Sequence, residues 1–448
     1  MAVIKEFKGT RYNIDIFERP ETLFAPPYDV VDDRGRDALV AAQPFNVFKL
    51  ELPRRSDCDE TEVPDAYQCA ASLLNTWLNS QVLMVDEQPS LYTYAIEFRA
   101  NGSRYTRRGF IGLVRADDWA QRTILPHEKT FNKVTEERLQ LRLATRAQFS
   151  QIFMLYRHDR RIAEVLEGGE DRVLASVEDT LGNLHTLGQV LDPEAISHIK
   201  EAISQRPLYI ADGHHRYTTA INYRRKMAER YGDHPDAPYN FTMAYLVDAK
   251  DPGLIVLPTH RIISLPPGMD MAMLEGRLSE AFEIRTIAPA PDSAQEAART
   301  MEQALAAECT QAIGLMEGGA GELKLLCLKP DASERLLAEV GHKELASLDV
   351  VVLEKVAFKR ALRIDVEELE VGKELFYEAD SVKAVKDLRE DQVLFFMNPT
   401  PVEQVLDVAD AGLTMPHKST FFYPKILTGL VMHVEGQMEE QRGQKRPF

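Results

Sequence analysis

The densest group of chemically active side chains lies between residues 208 and 217, in the run Leu-Tyr-Ile-Ala-Asp-Gly-His-His-Arg-Tyr. Its apolar start predicts a strand, and Gly213 predicts a turn. The residues after Gly213 are predicted to form the first turn of a helix. A helix start binds anions, because its first backbone N–H groups lack partners within the helix and the helix dipole is positive there. Gly213 and Arg216 are predicted phosphate or nucleotide ligands, because the glycine lets a phosphate approach the backbone and the guanidinium can hold it. His214 and His215 begin the same helix, and Tyr217 is a further pocket candidate.

Asp212 ends the predicted strand, directly before the turn. As a catalytic group, its carboxylate would orient a histidine or hold Mg²⁺ beside a bound phosphate. The alternative is structural: Asp212 caps the helix and the two histidines are surface residues. The crowding of so many active groups in one turn favours the functional interpretation.

A second pair of reactive side chains, His127 and Glu128, follows a predicted strand. We predict catalytic roles for both, with Glu128 as a general base if it is partly buried. The pair does not belong to a zinc-binding H-E-x-x-H helix, because Phe131 occupies the position of the second histidine. The alternative is an ordinary loop pair.

The helix predicted over residues 134–148 carries Arg138, Arg142 and Arg146 at intervals of four residues, so the three share one face. Such a run is usually a solvated face. Beside an anion site it would bind phosphate instead, since a guanidinium matches the geometry of phosphate oxygens. Arg142 and Arg146 are therefore further candidates for phosphate binding.

The segment 415–425, Met-Pro-His-Lys-Ser-Thr-Phe-Phe-Tyr-Pro-Lys, combines polar groups with aromatic anchors. Its phosphate-binding candidates are Lys418, Ser419 and Thr420, and its further pocket candidates are Tyr423 and Lys425. It lacks the glycines of a Walker P-loop, and packing of the aromatic residues is the alternative.

The loop that contains Pro26 and Pro27 is the fourth candidate. Two prolines stiffen a loop, so this one would present Tyr28 and Asp29 as pocket residues. A plain structural turn explains the same residues equally well.

Composition excludes several classes of protein. The chain has 448 residues and a formal net charge of −17, which disfavours direct DNA binding through a broad basic face. No apolar run is long enough for a membrane span, and the first residues lack the apolar stretch of a signal peptide. The four cysteines show no C-x-x-C spacing, which fits a reducing cytoplasm and argues against a disulfide framework or a cysteine zinc site.

We therefore expect a cytoplasmic protein with no membrane segment. An acidic surface around a basic pocket would concentrate a small phosphate-bearing ligand. The sequence leaves the oligomeric state open.

Strands and helices alternate along the chain, which predicts a mixed α/β (α+β) fold. We divide it into an N-terminal segment, 1–90, that packs on a core, 91–265, followed by a second α/β domain, 266–390. The segment 391–448 is predicted to return to the core and to end in a frayed tail, 437–448.

Five runs resemble, in this order, motifs of the domain-of-unknown-function-1015 family, a soluble bacterial and archaeal family without a settled activity, often labelled ParB-like or SpoOJ-like. They are Ala-Pro-Pro-Tyr-Asp-Val (25–30), Leu-Pro-His-Glu-Lys-Thr (125–130), Ala-Asp-Gly-His-His-Arg-Tyr (211–217), Asp-Pro-Gly-Leu (251–254) and the whole of 415–425. The resemblance runs nearly end to end and implies a prokaryotic protein.

Asp-Gly-His-His-Arg also resembles the phosphate-binding turn of the ParB/sulfiredoxin superfamily, which includes free-serine kinases that use ADP or ATP. This resemblance implies a ParB/sulfiredoxin-like core with an additional α/β domain toward the C-terminus. It implies that residues 213–216 bind phosphate and, from chain order alone, that Glu128 deprotonates a substrate hydroxyl.

The leading interpretation is a nucleotide-dependent phosphotransferase, a serine-kinase-like enzyme that uses ATP or ADP with Mg²⁺ to phosphorylate a small-molecule hydroxyl. One alternative is a non-enzymatic ParB-like nucleotide switch that engages DNA or a protein partner. Another is a metal-dependent hydrolase built on His127, His214 and His215. The chain shows no basic recognition helix and no cysteine near 212–216, which argues against DNA clamping and sulfiredoxin chemistry.

Overall fold

The structure is a computed structural model that describes residues 1–58, 63–100, 102–130, 132–168, 171–265, 268–289, 291, 293–308, 310–319, 321–364, 366, 368–369 and 374–435. The predicted tail, 437–448, lies outside the described residues. Helices and strands are both abundant, which confirms the mixed α/β class.

The chain divides into two compact units. Unit 1 comprises Met1–Pro126, Thr130–Ile255 and Pro424–Phe448, and unit 2 comprises His127–Lys129 and Val256–Tyr423. This division does not decide the four predicted segments, which stay a prediction.

The strands are β1 (Ile4–Lys5), β2 (Thr10–Tyr12), β3 (Leu83–Val85), β4 (Tyr92–Ala100), β5 (Ser103–Arg115), β6 (Ile124–Leu125), β7 (Ala147–Gln148), β8 (Ile152–Tyr156), β9 (Arg172–Glu178), β10 (Leu184–Gln189), β11 (Leu208–Asp212), β12 (Phe241–Asp248), β13 (Ile255–Leu257), β14 (His260–Ser264), β15 (Phe282–Pro289), β16 (Ala312–Glu317), β17 (Glu322–Leu328), β18 (Leu375–Glu378), β19 (Gln392–Phe396), β20 (Phe421–Tyr423) and β21 (His433–Val434).

The α-helices are α1 (Asp33–Ala42), α2 (Phe48–Glu51), α3 (Ala66–Asn79), α4 (Asn132–Thr145), α5 (Arg160–Glu167), α6 (Pro193–Ser204), α7 (His214–Tyr231), α8 (Met271–Leu278), α9 (Ala294–Ala306), α10 (Pro330–Val340), α11 (Lys343–Ala346), α12 (Asp349–Val351), α13 (Ser381–Lys386) and α14 (Val402–Asp410). Short 3₁₀ helices cover Ile14–Ile16, Pro20–Leu23, Tyr28–Val30, Arg55–Asp57, Trp119–Gln121 and Pro238–Asn240, and a π-helix covers Val352–Leu362. Among the described residues, no helix is both long and apolar enough to cross a bilayer.

Unit 1 is built on a mixed nine-stranded sheet in the order β6-β11-β8-β12-β5-β4-β10-β9, with β1 beside β5. The central strand β12 is buried at every position, and its sequence, Phe-Thr-Met-Ala-Tyr-Leu-Val-Asp, is largely apolar, as a strand covered on both faces requires. The strand β11 runs antiparallel to β8, with Asp212 opposite Phe153. The carboxyl end of β11 therefore lies beside the start of β8.

The helix α7 begins directly after β11 and packs in two directions. Tyr217 and Ile221 join the apolar core of the sheet. Farther along α7, Tyr223 and Met227 form a smaller apolar cluster with Leu139 of α4. This packing places α4, which carries the arginine run, beside α7, which carries the predicted turn.

Unit 2 contains an antiparallel six-stranded sheet in the order β15-β17-β16-β19-β14-β18. Neighbouring residues of a strand point to opposite faces, so Ile262 joins one apolar core and Ile263 the other. Helices α9 and α13 cover one face, and helices α8, α10 and α14 with the π-helix cover the other.

Cys58 and Cys69 form a disulfide, with their Cα atoms 5.8 Å apart. The sequence-based argument against disulfides is wrong for this pair, because the start of α3 brings Cys69 beside Cys58, which follows the 3₁₀ helix Arg55–Asp57. Another cysteine, Cys327, is free and buried.

Reduction of this disulfide is expected to lower the free energy of unfolding by about 2 kcal/mol, because the bridge constrains the unfolded chain between residues 11 positions apart. Urea unfolding with and without dithiothreitol measures the change. A double variant, Cys58→Ser with Cys69→Ser, serves as the control and should be insensitive to the reductant. Identical midpoints for the natural chain under both conditions would contradict the prediction.

Candidate functional site

The turn predicted at Asp212–Arg216 is present at the carboxyl end of β11. Gly213 is the N-cap residue of α7, with φ 95° and ψ 31°, and no side chain caps the helix. A Cβ at this position would lie 2.9–3.0 Å from guanidinium atoms of Arg216, so the guanidinium folds back against the glycine. The capping alternative for Asp212 is therefore wrong, and so is a surface position for His214, which is buried.

Asp212 is held between two cations. Its Oδ2 atom lies 3.1 Å from Lys425 Nζ and 3.8 Å from Arg216 Nη2. Burial raises the pKa of the Asp212 carboxyl, but the charges of Lys425, Arg216 and His214 outweigh burial and hold that pKa well below its usual range. The carboxylate is therefore ionised throughout the physiological pH range.

Arg216 connects the turn with the start of β8 and with the proline loop. Its Nη1 atom donates to the Gln151 carbonyl. Burial lowers the pKa of the Arg216 guanidinium, but the charges of Asp212, Asp29, Tyr28 and Glu51 raise it overall, so it remains protonated. The predicted pocket candidates Tyr28 and Asp29 thus belong to the electrostatic surroundings of Arg216.

Tyr28, in the proline loop, is a half-buried side chain. The Arg138 guanidinium lies over its ring, 4.7 Å from the centroid, and burial raises the pKa of Tyr28 to about 12. Tyr28 is therefore a neutral hydrogen-bonding group at ordinary pH.

A pocket of about 440 Å³, including space open to solvent, lies beside the turn within unit 1. Its lining combines three arginines with hydroxyl, amide and apolar groups. The lining residues are Glu51, Arg138, Leu141, Arg142, Ala147, Gln148, Phe149, Ser150, Ile152, Arg216, Thr219 and Thr242.

The three arginines of the run at 138, 142 and 146 do not share one environment, because the helix α4 ends before the third. Arg138 and Arg142 line the pocket, whereas Arg146 does not. Because α4 ends at Thr145 and Arg146 adopts a left-handed conformation with φ 51°, the side chain of Arg146 leaves the shared face and donates to the Tyr231 hydroxyl. The predicted common face therefore extends over only two of the three arginines.

The other turn candidates lie in different surroundings. Tyr217 is fully buried and its hydroxyl donates to the Asp117 carbonyl, so it packs in the core of unit 1. His215 is half-buried, and its carbonyl accepts a hydrogen bond from Thr219 Oγ1.

Two motifs that are almost 290 residues apart meet in unit 2. The Met415 N–H donates to the His127 carbonyl at 2.8 Å, and His127 Nε2 lies 3.2 Å from Thr420 Oγ1. Glu128 Oε1 lies 2.7 Å from His417 Nδ1. Glu128 is about one-quarter exposed, which satisfies the partial burial predicted for a base.

The remaining candidates of this segment have local roles. Ser419 Oγ donates to the Pro416 carbonyl at 2.6 Å. Lys418 is exposed, and its backbone carbonyl accepts a hydrogen bond from Arg261 Nη2 at 3.1 Å. Tyr423 ends β20 and is half-buried.

Three residues were not predicted as site candidates from the sequence. Glu51 and Arg138 line the pocket, and His417 contacts Glu128. The sequence signal for His417 was its place beside the polar triplet 418–420. Arg138 belonged to the recognised run, and nothing in the sequence around Glu51 marks it.

These features define a mixed α/β protein with a strand–glycine–helix turn beside an arginine-lined pocket. The chain belongs to the family described as protein of unknown function (DUF1015), whose model matches residues 4–351. No curated protein matches the chain detectably.

Several solved structures are similar to the chain. A free serine kinase mutant in complex with ADP is 13% identical, covers 69% of this chain and 89% of its own, and has a TM-score of 0.32. SbnI with a C-terminal truncation, from Staphylococcus aureus, is 12% identical, covers 71% of this chain and 85% of its own, and has a TM-score of 0.34. A conserved hypothetical protein from Pyrococcus furiosus is 15% identical, covers 69% of this chain and 92% of its own, and has a TM-score of 0.31. Likeness this distant carries no argument about function.

Proposed function

We propose that the protein binds the phosphate groups of ATP or ADP at the turn of unit 1 and transfers a phosphoryl group to a small-molecule hydroxyl. The observation that carries the proposal is the left-handed Gly213 between β11 and α7, flanked by Arg216 and Lys425. Backbone N–H groups at a helix start and two fixed cations are the groups that phosphoryl transfer requires.

Three residues of the turn, together with Lys425, each support one part of this proposal. Gly213 has no side chain, so a phosphate oxygen can approach the backbone. Arg216 and Lys425 neutralise the negative charge of the phosphates. Asp212 offers an ionised carboxylate oxygen, the preferred ligand type of Mg²⁺, which when bound would neutralise further phosphate charge.

Glu128 is proposed as the base that accepts the proton of the substrate hydroxyl, and His127 as a second catalytic group. Glu128 is partly exposed and its carboxylate contacts His417, so it has a partner that fixes its orientation. The Glu128→Gln variant tests this role separately from nucleotide binding, since it should abolish transfer and leave nucleotide affinity intact.

Nucleotide binding is tested by titration calorimetry of ADP and ATP into the full chain. Lys425→Met is expected to weaken binding about 10- to 100-fold, because a charge-assisted hydrogen bond to phosphate is lost. Lys250→Met, which removes a lysine from the loop after β12, is the matched control and should leave the affinity unchanged. Failure of the natural, folded chain to bind either nucleotide would overturn the proposal.

The same titrations bear on the ParB-like switch. Nucleotide binding without phosphoryl transfer to any hydroxyl compound, together with a nucleotide-dependent change in proteolytic cleavage, would favour the switch. A salt-sensitive shift of a DNA fragment would add DNA as its partner.

A further inference from the structure

The arginine-lined pocket of unit 1 contains a buried polar group without a partner. Arg142 is only 5% exposed, and its Nε atom has no hydrogen-bond partner among the described residues. An unsatisfied buried N–H is costly, and the guanidinium is always charged. Arg142 lines the pocket, so an acceptor bound there that reaches Nε would satisfy this group.

The surroundings of Arg142 hold its guanidinium in one orientation. Its Nη2 atom donates to the Phe241 carbonyl at 2.8 Å and to Glu435 Oε1 at 3.1 Å. The guanidinium lies over the Tyr223 ring, 4.2 Å from the centroid. Glu435 is fixed in turn, because its Oε2 accepts from the Tyr223 hydroxyl at 2.7 Å and its N–H donates to the Arg146 carbonyl. Arg142 is therefore preorganised for a ligand.

The other charged groups of the lining are Arg138, Arg216 and Glu51. The Glu51 carboxylate accepts from Ser150 Oγ at 3.0 Å and lies 3.8 Å from Arg138 Nη1. Each of the three guanidinium groups has one carboxylate partner, since Arg142 pairs with Glu435 and Arg216 with Asp212. A guanidinium has five N–H donors, more than one carboxylate uses, so the pocket still offers donors that suit an oxyanion. Glu51 would accept a hydrogen bond from a donor group on the same ligand.

The pocket is not the turn itself. Its lining excludes Asp212, Gly213 and Lys425, and only Arg216 is common to both. A nucleotide whose phosphates lie along the turn would therefore leave the Arg142 side of the pocket for another group.

We propose that this pocket is a second oxyanion subsite, which binds an acidic group, carboxylate or phosphate, carried by the hydroxyl substrate. The proposal rests on the proposed function and names its substrate class: the acceptor is an acidic small molecule, with its oxyanion held by Arg142 and Arg138. An alcohol that places no acceptor group in the pocket would leave the Arg142 N–H unsatisfied and would bind weakly.

The test uses inorganic phosphate and malonate as probes, titrated into the full chain that carries Lys425→Met, so that the turn contributes little. We expect one probe to bind per chain. Phosphate binding alone identifies a phosphorylated acceptor, and malonate binding alone a carboxylic acid. If neither probe binds, the proposal is overturned.

Adding Arg142→Lys is expected to weaken probe binding about 10-fold or more, because lysine keeps the charge but lacks the Nε–H group. Arg225→Lys is the matched control: Arg225 pairs with Asp118 at an exposed position of α7, and the change should alter the affinity less than about twofold. Equal effects of the two substitutions would contradict the proposal. If the Arg142 variant unfolds at a lower temperature, Arg138→Lys repeats the test from another wall of the pocket.

Failure of the subsite and failure of the proposed function are distinguishable. Absence of ADP and ATP binding to the natural chain contradicts the function, whatever the probes do. Nucleotide binding that survives while the probes do not bind contradicts only the subsite.

Discussion

Replacing Gly213 with valine is expected to weaken ADP and ATP binding at least about 100-fold and to lower the free energy of unfolding by about 2 kcal/mol. Gly213 has φ 95°, a conformation that is costly for any residue with a Cβ and more so for a β-branched one. The new Cβ would also lie 2.9 Å from Arg216 Nε, so the guanidinium would have to move. Backbone strain, loss of the cation and a blocked phosphate approach therefore act together.

Gly341→Val separates these effects. Gly341 follows α10 with φ 73°, and a Cβ there would meet nothing within 4 Å. This control should show the backbone strain alone, with a similar loss of stability and unchanged nucleotide binding. Calorimetric titration and urea unfolding of both variants provide the comparison. If the Gly213 variant binds nucleotide as the natural chain does, the turn is not the phosphate site.

The Asp212→Asn variant should lose about 3 kcal/mol of unfolding free energy at pH 7, because Lys425 and Arg216 would then be two partly buried cations without their carboxylate. The pKa of the Asp212 carboxyl is held well below its usual range, so its stabilisation is complete above the unfolded pKa of about 3.9. As the pH falls below that value toward the folded pKa, the stabilisation is lost. The difference between the two proteins should therefore shrink below about pH 4.

Urea unfolding at pH 7, 5 and 3.5 measures this dependence. Asp118→Asn is the matched control, because Asp118 pairs with Arg225 at an exposed position and its loss should cost less than about 1 kcal/mol. A difference for Asp212→Asn that stays constant from pH 7 to pH 3.5 would show that the carboxylate charge does not contribute.

Local sequence signals predicted local structure well. The apolar run before Asp212 and the glycine after it located β11, the turn and the start of α7, because strand ends and helix starts depend on neighbouring residues.

Contacts between distant segments were not predictable from such signals. No pattern in the sequence predicts that His417 contacts Glu128, or that Lys425 contacts Asp212, because only the completed fold brings these pairs together. The Cys58–Cys69 disulfide was missed for the same reason. The prediction that Arg146 shares a helix face with Arg138 and Arg142 was wrong, because it depended on where α4 ends. Helix ends are the least certain part of a periodic pattern.

The discontinuity of unit 1 has a consequence for biosynthesis. A ribosome delivers residues 1–255 long before residues 424–435, because the whole of 256–423 is translated in between. Until then Asp212 lacks Lys425, and Arg142 lacks Glu435. The turn therefore acquires its lysine only after residues 256–423 have been translated, so a nascent chain arrested before residue 424 would display the turn without its complete set of charges.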